Sequence, residues 1–232
     1  MDEKVINEEL ENLDNEKELV EKGSILAAIG EKSLAIKFFD KALSINPELD
    51  EIRLLRVLIS DKYQEALEDL TYLIAKDYKT SSCYFYLGLA YYNLGDYEKA
   101  IECYTKSTKL RLSNIEQEEI NYIAETIIHM GLAYLRMNNI DKAVMYFCAA
   151  TLLDKTLEKV STKIFEYCCN DTALAEDILQ AVQTASIKIG STLIETNSTV
   201  EMFIQYLLEP ESENDISHDT EHITNKIRKI DL

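Results

Sequence analysis

An all-α fold built from stacked helix pairs is what this sequence predicts, and three observations predict it. Only two prolines and six glycines punctuate 232 residues, so sharp turns should be few and helices long. Apolar residues recur at helical rather than alternating spacing. A pattern of large apolar residue, glycine, alanine and aromatic also returns along the chain at near-constant intervals, which is how repeat architectures announce themselves.

Residues 1–15 read as an acidic N-terminal segment and 16–155 as four helix pairs. The first pair carries Leu19, Gly23 and Leu26, then Ala35, Phe39, Ala42 and Pro47. A weaker second copy has Leu54 and Val57, then Tyr63, Ala66 and Leu70, with Leu54 standing where the others have glycine. Its alanine follows the first by 31 residues, against 34 to the next copy, so this pair should pack less regularly. The third copy is the fullest: Tyr84, Leu87, Gly88 and Tyr91, then Tyr97, Ala100 and Tyr104. In the fourth, Ile127, Met130, Gly131 and Tyr134 precede Ala143 and Phe147.

The step from Ala100 to Ala143 is 43 residues, and the surplus falls around Ser113-Asn114-Ile115-Glu116. Ser113 with Glu116 has the spacing of a capping box. The helix that follows is expected over about 114–137, longer than its counterparts. Gly23, Gly88 and Gly131 remove a side chain from the first helix of a pair, while Ala35, Ala100 and Ala143 place a small one on the second. Phe39, Tyr104 and Phe147 lie four residues beyond those alanines on the same face, and are expected between neighbouring pairs. Gly30, Gly95-Asp96 and Asn138-Asn139 suit the turns, as residues that accept left-handed backbone or cap the next helix.

Beyond 155 the signature ends but the helical period persists. Residues 156–208 read as C-terminal helices, over 156–169, 172–189 and from Ser198 to just before Pro210. The last carries Val200, Phe203, Ile204, Leu207 and Leu208 as one apolar stripe. Residues 209–232 read as an acidic, flexible tail.

The four copies resemble the tetratricopeptide repeat, a 34-residue helix–turn–helix with the pattern W-x2-L-G-x2-Y, then A-x3-F, then P; Tyr84 stands at the tryptophan place. The resemblance implies a right-handed superhelical array of antiparallel pairs, an α-solenoid closed by C-terminal capping helices. It also implies a concave groove, lined by the first helix of each pair, that receives a segment of another protein. The matching positions are Val20 and Ser24, Leu55 and Ile59, Phe85, Leu89, Tyr92 and Asn93, and Ile128, Leu132, Leu135 and Arg136. Some tetratricopeptide arrays clamp a C-terminal carboxylate with Lys, Asn and Arg residues. Here Val20, Ser24 and Ser82 stand at matching places, so an amphipathic helix or apolar peptide suits this groove better. The helix over 198–208 is the alternative occupant.

Forty-two acidic residues against 24 basic ones give a formal charge of −18. That field repels phosphate backbones, which bind through Lys and Arg, and attracts basic protein segments. Nucleic acid is not an expected partner. No run approaches the apolar length needed to span a bilayer, and the acidic start lacks the features of a signal peptide. Five cysteines, Cys83, Cys103, Cys148, Cys168 and Cys169, have no disulfide or C-x-x-C spacing, which fits a reducing, cytoplasmic setting.

His218-Asp219-Thr220-Glu221-His222 spells H-x-x-E-H, a zinc-protease motif. It lies in the polar tail without a third ligand, so neither a catalytic metal nor any other cofactor is expected. His129 and the cysteines read as core or near-core residues, and there is no glycine-rich phosphate loop. The resulting expectation is a non-enzymatic adaptor or scaffold subunit. The alternative is an escort for a secretion or assembly client, resembling the class II chaperones of type III secretion.

Overall fold

A computed structural model describes Leu10, residues 12–112 and residues 117–154. Among the described residues every regular element is helical: α1 (Glu16–Ala28), α2 (Lys32–Ile45), α3 (Asp50–Ile59), α4 (Tyr63–Ala75), α5 (Thr80–Leu94), α6 (Tyr97–Leu112), α7 (Gln117–Arg136) and α8 (Ile140–Leu153). The expected C-terminal helices, the capping box at Ser113 and the H-x-x-E-H motif lie outside the described residues. Two compact units divide the chain, Met1–Leu94 and Gly95–Leu232.

In the first unit, α1 begins at Asn15, whose side chain accepts a hydrogen bond from the Lys17 amide. Glu16 and Glu18 in the first turn lie where the helix dipole favours negative charge. Leu19, Gly23 and Leu26 recur on one face and are buried. The helix ends at Gly30, whose φ of 87° is free of steric penalty only for glycine. On α2, Ala35, Phe38, Phe39, Ala42 and Leu43 form the opposing face.

The Phe39 ring is fully buried in a cluster that includes Ile52 of the next pair. It covers Gly23 of its own pair, so closely that a β-carbon on Gly23 would fall 2.6 Å from Cε1 and 2.7 Å from Cδ1. The glycine is therefore a socket for an aromatic ring as well as a place for backbones to approach.

The second pair is held differently. With Leu54 in the glycine place, α3 and α4 approach less closely along their length than α1 and α2. Instead Asp69 on α4, only 6% exposed, receives two arginines from α3. Arg53 Nη1 donates to Oδ1 at 2.9 Å; Arg56 donates through Nε at 3.0 Å to Oδ2 and through Nη2 at 2.7 Å to Oδ1. Arg56 also reaches Asp40 on α2, and the Arg53 guanidinium lies 4.2 Å above the Tyr72 ring. Burial alone would discourage charge on Arg56, yet its hydrogen bonds to Asp69 and Asp40 outweigh that and raise its pKa. Charge-assisted, forked bonds of this kind are among the stronger polar contacts in proteins.

The low glycine count understates the turns. Between α4 and α5, Asp77 and Lys79 take left-handed backbone with φ of 57° and 42°. The Tyr78 amide closes the α4 end by donating to the Leu73 carbonyl, and Thr80 Oγ1 donates to Asp77 Oδ1 at 2.6 Å. Local side-chain bonds thus do what glycine does at Gly30.

In the second unit, α6 starts at a turn containing Gly95 (φ 86°), and Asp96 Oδ1 accepts from the Lys99 amide. Ala100, Cys103 and Tyr104 form its buried stripe. Its C-terminal Arg111 is buried, pairs with Glu119 of α7 at 2.7 Å and lies 4.7 Å over the Tyr122 ring. The α7 helix is the longest of the described set at 20 residues, as the surplus sequence implied, and it ends at Arg136. Asn138 (φ 58°) makes the next turn and Asn139 caps α8 by accepting from the Lys142 amide. The socket seen in the first pair recurs here: a β-carbon on Gly131 would lie 2.8 Å from Phe147 Cε1.

Candidate partner-binding faces

Within the first unit the expected groove residues come from α1, α3 and α5. Val20, Leu55 and Ile59 are half-buried and pack against the core of the first pair. Ser24 is exposed. On α5, Phe85, Leu89 and Tyr92 are half-buried and Asn93 is exposed, with Asn93 Nδ2 donating to the Leu89 carbonyl at 2.8 Å. Phe85 meets Tyr86 edge to face at 5.3 Å between ring centres. In the second unit, Leu132 and Leu135 are half-buried and Arg136 is exposed, while Ile128 is buried at 6% exposure. An enclosed Ile128 supports the fold from beneath such a face rather than forming its surface.

Ile59 and Leu89 share a cavity of about 420 Å³ in the first unit, with Lys32, Ser33, Ile36, Leu58, Asp61 and Tyr86 also in its wall. It lies at the C-terminal end of α3, which at ten residues is shorter than α1 or α5. Tyr86, to which spacing assigned no role, is part of that wall.

The described titratable groups favour structure over chemistry. Burial pushes the thiols of Cys83 and Cys103 up to about 11, and Cys83 Sγ donates to the Tyr78 carbonyl at 3.2 Å. Such thiols stay protonated and unreactive at neutral pH. His129 packs its ring 5.7 Å from that of Tyr104, and burial lowers its pKa. No group of three or more potential metal-ligating side chains occurs among the described residues. No described helix is long and apolar enough to cross a membrane.

The sequence reading missed the Asp69 cluster. Its signal was present: Arg53 and Arg56 are three residues apart on one helix face, followed by an aspartate on the apolar stripe of the next helix.

Comparison with known proteins agrees with this architecture. No curated protein matches the chain. Among solved structures, one described as the crystal structure of MamA protein superposes with a TM-score of 0.52 at 26% identity, covering 63% of this chain and 76% of that one. A family model described as tetratricopeptide repeat matches residues 81–114, and a second with the same description matches 19–49 and 124–157. The stretch between 49 and 81 is the ion-paired second copy. Residues 19–49, 81–114 and 124–157 of this chain are tetratricopeptide repeats, with glycine–phenylalanine sockets in the first and last of them.

Proposed function

We propose that the chain is a non-enzymatic adaptor or scaffold subunit that holds an apolar peptide or amphipathic helix of another protein against the first helices of its pairs. Tetratricopeptide repeats support binding to another protein. The observation that carries the finer reading is the half-burial of Val20, Leu55, Ile59, Phe85, Leu89 and Tyr92 on α1, α3 and α5. These side chains keep apolar surface in contact with water that a core would have removed, and such surface on successive elements marks an interaction face. Tyr92 supplies the kind of aromatic with a polar tip that often anchors an interface. The chain's acidity favours a segment with basic flanks.

The test is capture by the tagged full chain, identification of the retained partner, and a repeat with Leu89→Glu. A glutamate there meets the partner's apolar surface unpaired, so binding should fall by at least ~30-fold with melting little changed. Retained affinity in a folded Leu89→Glu variant would place the partner elsewhere. A client bound only until its delivery, in place of a stable complex, would support the escort role.

A further inference from the structure

Helix α3 is the least secured element of the first unit. It has ten residues, of which only Ile52 and Leu54 are buried, and a helix this short is marginal without tertiary support. Its approach to α2 and to α4 is sparse, whereas α1–α2 and α4–α5 are closely packed. The cavity beside Val57, Leu58 and Ile59 removes packing partners from its C-terminal end. Beside the apolar contact of Ile52, Leu55 and Ile59 with the core of the first pair, its hold is polar: Arg53 and Arg56 grip Asp69 on α4, with Arg56 extended to Asp40 on α2 and Arg53 Nη2 donating to the Pro47 carbonyl at 3.0 Å.

We infer that α3 is a latch helix: it opens by itself while α1–α2 and α4–α5 stay packed, with Asp69 as its catch. Locally opening segments are those with few buried apolar contacts, and here a directional ionic grip supplements the few there are. Both conditions hold at α3 and at neither neighbour, since α2 and α4 each bury more apolar side chains. The device is regulatory because Leu55 and Ile59 ride on α3. Resting on the groove reading above, opening withdraws those residues from a partner, whose apparent affinity then falls in proportion to the closed fraction.

Hydrogen exchange of the full chain, read by mass spectrometry on peptides within 32–45, 50–59 and 63–75, tests the latch without any partner. The 50–59 amides should exchange at least about ten-fold faster than the other two sets after correction for intrinsic rates. Asp69→Asn should speed 50–59 by a further ~10-fold while the flanking helices change less than about two-fold. Asp40→Asn, a milder change at a half-exposed carboxylate, should give a smaller increase confined to 50–59. Equal protection across the three segments overturns the inference, as does acceleration of all three together in either variant. Because no partner enters the measurement, loss of the groove reading leaves this result standing, and the reverse also holds.

Discussion

Phe39 lies over Gly23 in van der Waals contact with the bare α-carbon, and Phe147 lies over Gly131 in the same way. Two pairs in separate units thus reuse one device. An added methyl on Gly23 would meet the ring 2.6 Å away and the Phe38 β-carbon at 3.3 Å. The ring has nowhere to go, since Phe39 is fully enclosed.

Gly23→Ala should therefore destabilise the chain. Helix propensity gains about 1 kcal/mol from glycine to alanine, whereas overpacking costs about 1–3 kcal/mol, and an enclosed aromatic places this site toward the upper end. Gly131→Ala should lose somewhat less, its closest contact being 2.8 Å. Combining Gly23→Ala with Phe39→Leu should recover part of the loss. Urea denaturation of the four proteins measures it; stability gained by Gly23→Ala would reject the socket.

At the α4–α5 turn, Lys79→Gly should stabilise. A lysine at φ 42° carries a left-handed penalty of roughly 1–2 kcal/mol, and its visible return is a cation–ring distance of 5.4 Å to Tyr78. Glycine's extra freedom in the unfolded chain offsets part of the gain, leaving about 0.5–1 kcal/mol. Asp77→Gly relieves a smaller penalty, since aspartate tolerates left-handed backbone better than lysine, and removes the bond from Thr80, so it should be close to neutral. Thermal melts that rank the two in the opposite order would contradict this account.

His129 predicts an acid-sensitive term. Burial lowers its folded pKa below 6.5, so the folded chain prefers the neutral ring. As pH falls through about 6.5 the unfolded chain takes up a proton that the folded chain refuses, and stability drops until the folded pKa is reached. Above that window the term is absent. The stability difference between the native protein and His129→Leu should accordingly shift toward the variant on going from pH 8 to pH 5.5. A difference that stays constant across that range would show that the ring titrates normally.

Much of this architecture was legible in the sequence because its devices are local. Gly30, Gly95 and Asn138 announce left-handed turns by residue type, and Asp96 and Asn139 cap helices within three residues. Spacing also placed Ala35, Ala100 and Ala143 in the core correctly. It put Phe39 and Phe147 on the buried face but did not show the glycine sockets they fill, since periodicity fixes direction and says nothing of what stands opposite. The turn at Asp77 and Lys79 was hidden because a lone aspartate is only a weak signal for positive φ and lysine gives none. The Asp69 cluster joins residues 13 and 16 apart in sequence, and charged residues in an amphipathic pattern are read by default as solvated. The expected groove was mapped from the family resemblance, and the burial of Ile128 depended on packing that no pattern reports.

Residues 50–80 fall between two stretches that the family models recognise, and the interval is one helix pair long. A profile of this family rewards glycine and an aromatic at fixed places, so a pair that joins its helices by guanidinium and carboxylate is invisible to it. Interrupted repeat arrays elsewhere deserve the same suspicion. Where the silent interval equals one period and holds two arginines a turn apart with an aspartate on the following helix, the array is better counted as unbroken.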